Sequence, residues 1–106
     1  MWDEFGMRSA NADYAAIRAR MSKRPHAYLR QFYADTAIGR STAVLRCGPG
    51  FFGASDVLFR THSPFGPECG MGFLRENVRA LDALDLPAGD RQDIYFRNAL
   101  KLMRIE

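Results

Sequence analysis

The sequence lacks the features that mark membrane, secreted and disulfide-stapled proteins. No apolar run in its 106 residues reaches the roughly 18–20 residues that a membrane helix requires. The opening Met1-Trp2-Asp3-Glu4 is acidic and leads into no apolar segment, unlike a secretory signal. Only two cysteines occur, Cys47 and Cys69, and they form no CxxC pair. These absences predict a cytoplasmic protein with two free thiols and no membrane partner.

The length excludes several large folds. A complete (β/α)8 barrel requires about 250 residues and rarely fewer than about 200. The composition, with 47% hydrophobic and 25% charged residues, is typical of one soluble globular domain. The net charge of +3 is modest, and the basic excess lies between Arg18 and Arg30. Because this stretch has no glycine-rich or recognition-helix pattern, we expect a solvated helix face or a subunit contact there, not a nucleic-acid partner.

Apolar periodicity and turn residues predict the order α-α-β-α-β-α-α. The predicted helices cover residues 12–23, a short segment after Pro25, and residues 41–47, 73–84 and 90–104. The predicted strands cover residues 32–36 and 57–59. Gly48-Pro49-Gly50 should break or sharply kink the third helix. Since a helix separates the two strands, they should pair in parallel, and strands this apolar call for further neighbours in the sheet.

Polar side chains follow both predicted strands, at the ends where α/β proteins bind ligands. His62 comes shortly after Val57-Leu58-Phe59 and opens a loop rich in proline and glycine. Its imidazole could bind a metal, act as a general base, or only hold the loop through a hydrogen bond. Asp35 ends the other strand, where it could contact a substrate or cap the following helix.

Four segments together resemble one enzyme family. They match its patterns FYxDTA, FGADHVLFxSDxPFxPEGG and IYxxNAxxL in order and spacing. In this sequence the segments are Tyr33-Ala34-Asp35-Thr36-Ala37, Phe51 to Phe59, Ser63 to Glu68, and Asp90-Arg91 with Ile94-Tyr95 and Asn98-Ala99. They are similar to the C-terminal part of amidohydrolase-related enzymes of the aminocarboxymuconate-semialdehyde decarboxylase type, which include resorcylate-type decarboxylases and related hydrolases.

The resemblance implies an α/β fold in which residues 1–106 form the C-terminal portion of a single metal-dependent (β/α)8 TIM barrel domain, helix-rich as an isolated chain. Residues 32–36 and 57–61 would be strands seven and eight. The family holds a divalent metal, often zinc, and decarboxylates or hydrolyses a small carboxylate-bearing, often aromatic substrate. His62 stands at the family's aspartate position and would be a metal ligand, which zinc chemistry permits. The substrate pocket would include Asp35, Arg60, Pro64 and Phe65.

The sequence also departs from the family pattern. The family's other metal-binding histidines have no counterpart, and the one remaining histidine, His26, is expected on the surface of a helix. Arg60 replaces a small residue, and Cys69 replaces a loop glycine. We therefore expect the isolated chain to be inactive. The alternative is a non-enzymatic, degenerate chain that acts only through self-association, as a homo-oligomer, or through subunit contact, because exposed strand edges favour association.

Overall fold

The computed structural model of the protein describes residues 14–38 and 41–105. These residues fall into two compact units that divide between Phe32 and Tyr33. The first unit contains helices α1 (Tyr14–Arg20) and α2 (Pro25–Leu29). Pro25 begins α2 because a first-turn residue needs no hydrogen-bonded N–H, and Arg24 before it is extended. The predicted first helix is thus confirmed in part, and its expected start at residue 12 lies outside the described residues.

The second unit is a short helical assembly around a small sheet. Its regular elements, given in chain order, are β1 (Ala34–Asp35), α3 (Thr42–Phe52), a 3-10 turn (Ala54–Asp56), β2 (Val57–Leu58), a second 3-10 turn (Pro67–Gly70), α4 (Met71–Asp82), α5 (Ala88–Gln92), a π turn (Asp93–Arg97) and α6 (Asn98–Met103). Within the described ranges, no helix is both long enough and apolar enough to cross a bilayer.

The two strands pair in parallel, as predicted, with Ala34 opposite Val57 and Asp35 opposite Leu58. The expected portion of a (β/α)8 TIM barrel is wrong, because the described residues form one sheet of two strands with two residues each. Ordinary strands run about five or six residues. Here the Phe59 N–H donates to the carbonyl of Ile94, and the Arg60 N–H donates to the Thr36 hydroxyl. Neither of these N–H groups therefore donates to a main-chain carbonyl of β1, and the strand pairing stays short. Helices supply most of the packing.

Helix α3 runs through Pro49, so of the break or sharp kink expected at Gly48-Pro49-Gly50 the break does not occur. Proline removes one helical hydrogen bond, yet the Gly53 N–H still donates to the Pro49 carbonyl at 3.0 Å and closes the last turn. Phe52, beyond the proline, packs against the core. Burial of this ring offsets the lost hydrogen bond, so local propensity is overruled by tertiary contacts.

The core is small and lies between α3, β2, α4 and the last helical segment. Its buried apolar members are Leu45, Val57, Ala80, Leu81, Leu84 and Ile94. Phe59 and Tyr95 flank it, with ring centroids 5.1 Å apart. Burial raises the pKa of the Tyr95 phenol to about 12, and its hydrogen bond to the Asp82 carboxylate acts in the same direction.

The last helical segment, residues 88–103, confirms the predicted final helix with an earlier start. It contains a π turn because the Ile94 carbonyl is already taken by the Phe59 N–H. The Asn98 N–H donates instead to the Asp93 carbonyl, one residue further back than in an α-helix. This bulge lets the Asn98 side chain donate to the carbonyls of Ala54 and Val57 at 2.7 and 2.9 Å. The Asn98 side-chain amide thus satisfies two main-chain hydrogen-bond acceptors in and next to β2.

Candidate functional site

The carboxyl ends of β1 and β2 bring together two of the predicted pocket residues. The Arg60 guanidinium donates to the Asp35 carboxylate at 2.9 Å, and both side chains are partly exposed. The other carboxylate oxygen accepts the Ala37 N–H at 2.9 Å. Asp35 therefore caps the turn after β1 rather than a helix. Arg60 is neutralised by this partner, so the two groups present little free charge to a ligand.

Behind this ion pair lies a buried polar network that sequence patterns did not indicate. The Asn77 amide donates to the Thr36 hydroxyl at 3.1 Å and to the Arg60 carbonyl at 2.6 Å. Thr36 and Asn77 are 1% and 3% exposed. The amide oxygen of Asn77 is buried and has no hydrogen-bond partner among the described residues. The network fixes both strand ends to α4, a structural role that explains a buried asparagine on the apolar side of a helix.

The pKa of the Asp35 carboxyl is the net result of opposed effects. Partial burial by itself raises this pKa. The hydrogen bonds from Ala37 and Arg60 and the positive charges of Arg60 and His62 outweigh burial and hold the pKa below its usual range. Asp35 is therefore an anion at neutral pH, suited to pairing with a cation and not to general-acid catalysis.

The loop that carries His62, Pro64 and Phe65 is exposed. Phe65, at 76% exposure, has one of the most exposed large apolar side chains in the described chain. The His62 ring lies edge-on to the Phe73 ring, with centroids 6.3 Å apart. The main-chain carbonyl of His62 accepts the Phe65 N–H at 2.8 Å. An ion pair of 2.7 Å between Arg75 and Glu68 links the loop to α4. His62 thus lies at the predicted end of the sheet, and Pro64 and Phe65 are exposed on the loop beside it.

Metal donors do not converge around His62. Among residues 14–38 and 41–105, no group of three histidine, cysteine, aspartate or glutamate side chains could hold a metal ion. Cys47 and Cys69 are exposed free thiols, and His26 is half-buried on α2 in the first unit rather than fully exposed. The residues described here therefore offer zinc far fewer than the three or four ligands that its protein sites use.

A cavity of about 270 Å³ lies elsewhere, beside the amino end of β2. Arg46, Asp85 and Asp90 line it together with apolar residues of α3 and the α4–α5 connection. None of the predicted pocket residues contributes to it. The sequence-based pocket at the strand ends and this cavity are separate features of the second unit.

The last helical segment carries a series of exposed apolar side chains. We call it the last-helix face, and it comprises Phe96, Leu100, Leu102, Met103 and Ile105, which are 38–60% exposed. Leu102 and Met103 lie in the predicted final helix, and only the structure shows them uncovered. Scattered apolar residues are ordinary on protein surfaces, but Phe96, Leu100 and Met103 recur at spacings of four and three residues on one side of the helix, as they do at interaction sites.

Comparisons with known proteins supply no further constraint. No family model matches the sequence, and no curated protein or solved structure gives a significant match.

The Asp35–Arg60 pair makes a pH-dependent prediction. Replacing Asp35 by asparagine should lower the free energy of unfolding at neutral pH by up to about 1 kcal/mol, since exposed ion pairs contribute little more. Because the folded-state pKa is lowered, this contribution is present above the ordinary aspartate pKa of about 4 and is lost as pH falls below it. Urea unfolding of the wild-type protein and of Asp35→Asn, from about pH 7 to about pH 2, measures this difference in the free energy of unfolding.

The control for this series is Asp85→Asn, which removes an exposed carboxylate with no ion pair in the described part of the chain. It should leave the unfolding free energy nearly unchanged at both ends of the pH range. A wild-type minus Asp35→Asn difference that stays constant down to about pH 2 would show that the carboxylate charge is not what stabilises this turn.

Proposed function

We propose that this protein acts without catalysis, by binding another polypeptide chain through its last-helix face. The observation that carries the proposal is the exposure of Phe96, Leu100 and Met103, at 49%, 38% and 60%. They recur at spacings of four and three residues along one helical segment. Such spacing places side chains side by side on one face of a helix.

The size of the core supports the same proposal. Among the described residues, six apolar side chains are buried, whereas the last-helix face alone leaves five apolar side chains open to water. Covering apolar area contributes roughly 25 cal/mol per Å², so a partner that covers this face gains a substantial driving force. Interface centres are enriched in phenylalanine and methionine, both of which this face contains.

The strand-end residues favour binding over catalysis. Asp35 and Arg60 neutralise each other, and the carbonyl of Arg60 is occupied by Asn77. A catalytic site needs an unpaired acid, base or nucleophile aimed at an open cavity. His62 lies on an exposed loop at this end of the sheet and does not line the cavity beside β2, which is consistent with a protein that acts through contact.

A second proposal, a metal-dependent decarboxylase or hydrolase of small carboxylates, rests on the position of His62. It lies at the same end of the sheet as Asp35, close enough for its charge to lower the Asp35 pKa. Adding zinc or manganese and a small aromatic carboxylate tests this function. Turnover by the wild-type protein that disappears in His62→Ala would contradict the non-catalytic proposal and favour the enzyme.

Self-association is the direct test of the last-helix face. We expect the wild-type protein to form reversible dimers as its concentration rises from about 5 to about 200 μM, because an uncovered apolar face binds a second copy weakly. The double variant F96E/M103E should stay monomeric, since charges at both ends of the face would have to be desolvated in the dimer. Sedimentation velocity measures both.

The matched control is A43E/A83E, which adds the same charge at two exposed alanines on α3 and at the end of α4, outside the face. It should associate like the wild-type protein, and circular dichroism should show all three proteins folded. A wild-type protein that is monomeric over the whole range, or a control that dissociates as much as F96E/M103E, overturns the proposal.

A further inference from the structure

A basic rim runs along the last-helix face. Arg97, Lys101 and Arg104 recur at spacings of four and three residues, in step with the apolar stripe of Phe96, Leu100 and Met103. From residue 94 to residue 105 the sequence contains no acidic residue. The face is therefore apolar along its centre and positive along one side.

Most of this positive charge is free to bind. Arg97 makes a long ion pair of 3.5 Å with Asp93 and lies 5.7 Å from the centre of the Phe96 ring. Lys101 and Arg104 are exposed and make no ion pair with any described residue. Arg104 ends α6 in a left-handed conformation, and the Ile105 N–H returns to the Leu100 carbonyl at 2.9 Å. This hydrogen bond closes the C-terminal turn of α6.

The rim charge selects between occupants of the face. In an antiparallel two-fold pairing of α6 with a second copy, the same side of each helix lies on the same side of the interface. Arg97 and Lys101 would then meet Lys101 and Arg97 of the other copy, and like charges at a rim oppose binding. A second copy therefore fits the apolar stripe but not the rim, and binds weakly.

We propose that the last-helix face binds an amphipathic helix of a partner protein whose apolar stripe is flanked by glutamate or aspartate. This proposal rests on the proposed function and names its partner by charge complementarity. The apolar stripe supplies the binding energy, as in other helix-in-groove contacts, and the acidic flank opposite Arg97, Lys101 and Arg104 supplies orientation and selectivity.

Two synthetic peptides test the proposal. Both carry the same leucine stripe at spacings of three and four, one flanked by glutamates and the other by lysines. Fluorescence anisotropy with the full chain should show the acidic peptide binding at least about tenfold more tightly at about 20 mM salt. At about 0.5 M salt this preference should shrink to about twofold, while self-association should strengthen, because salt screens both the attraction and the repulsion.

Variants separate this inference from the function on which it rests. The double variant K101E/R104E should lose the preference for the acidic peptide and bind both peptides within about twofold. Arg46→Glu, which removes an exposed cation outside the rim, should keep the preference. F96E/M103E should bind neither peptide. If F96E/M103E binds as well as the wild-type protein, the proposed function fails.

If both peptides bind the wild-type protein equally and only F96E/M103E loses them, the function stands and the acidic partner is refuted. A lipid surface is the competing explanation of a basic amphipathic helix. Binding of the wild-type protein to vesicles of anionic phospholipid is therefore measured beside binding to the two peptides. Binding to vesicles without binding to the acidic peptide also overturns the proposal.

Discussion

Replacing Ile94 by alanine should lower the free energy of unfolding by about 3 kcal/mol, near the middle of the range measured for buried isoleucine and leucine truncations. Ile94 is fully buried and packs in a core with few other large members. It sits in the π turn, whose main chain is tied to β2 through the Phe59 N–H. Because the hydrogen bond from the Phe59 N–H to the Ile94 carbonyl holds the backbone in place, the core cannot collapse into the space left by the removed side-chain atoms. The full free-energy cost of the cavity therefore applies.

The effect is large relative to the whole stability of a chain this size, which is about 5–15 kcal/mol. Urea unfolding followed by circular dichroism measures it, at a concentration low enough to avoid self-association. The control is Leu102→Ala on the same segment, where the side chain is 45% exposed and the loss should stay below about 1 kcal/mol. Equal losses at the two positions would mean that Ile94 does not lie in a closed core.

Replacing Asn98 by alanine should cost about 2–3 kcal/mol, although the side chain is polar and alanine favours helices. The Asn98 amide donates to the carbonyls of Ala54 and Val57, and the residue is 7% exposed. Without it, two backbone acceptors lose their partner in a region that water reaches poorly. Each unsatisfied buried group costs roughly 1–3 kcal/mol, partly relieved if a water enters.

The matched control is Gln92→Ala, which removes an exposed amide side chain from the same helical segment. Its expected change lies within about 0.5 kcal/mol. Urea unfolding again gives the values, and hydrogen exchange at the amides around β2 reports the local effect. If Asn98→Ala is as stable as Gln92→Ala, the amide does not hold β2 against α6.

Local patterns predicted the helices better than the sheet. The stripe of Leu74, Val78 and Leu81 marks α4, and apolar residues between acidic and basic ends mark the last segment. The strands were located correctly but extended too far, because their length depends on where main-chain groups find partners. Phe59 and Arg60 bond to Ile94 and Thr36, which lie far away in sequence.

Two residues of the predicted strand-end pocket lie together in the structure. Asp35 and Arg60 do meet, since parallel strands bring their carboxyl ends to one edge. The contribution of Asn77 could not be foreseen, because a single amide in a helical pattern carries no sign of its partners. Pro64 and Phe65 lie on an exposed loop, which the Glu68–Arg75 pair links to α4.

The sequence by itself determined the order of helices and strands, the parallel pairing of the strands and the positions of the apolar stripes. These features follow from short-range periodicity and chain connectivity. Only the tertiary structure decided that α3 continues through Pro49, that the sheet has two residues per strand, and that Phe96, Leu100 and Met103 remain uncovered. Each of these depends on which distant groups compete for the same hydrogen bond or the same apolar surface, and that competition is settled only when the whole chain is packed.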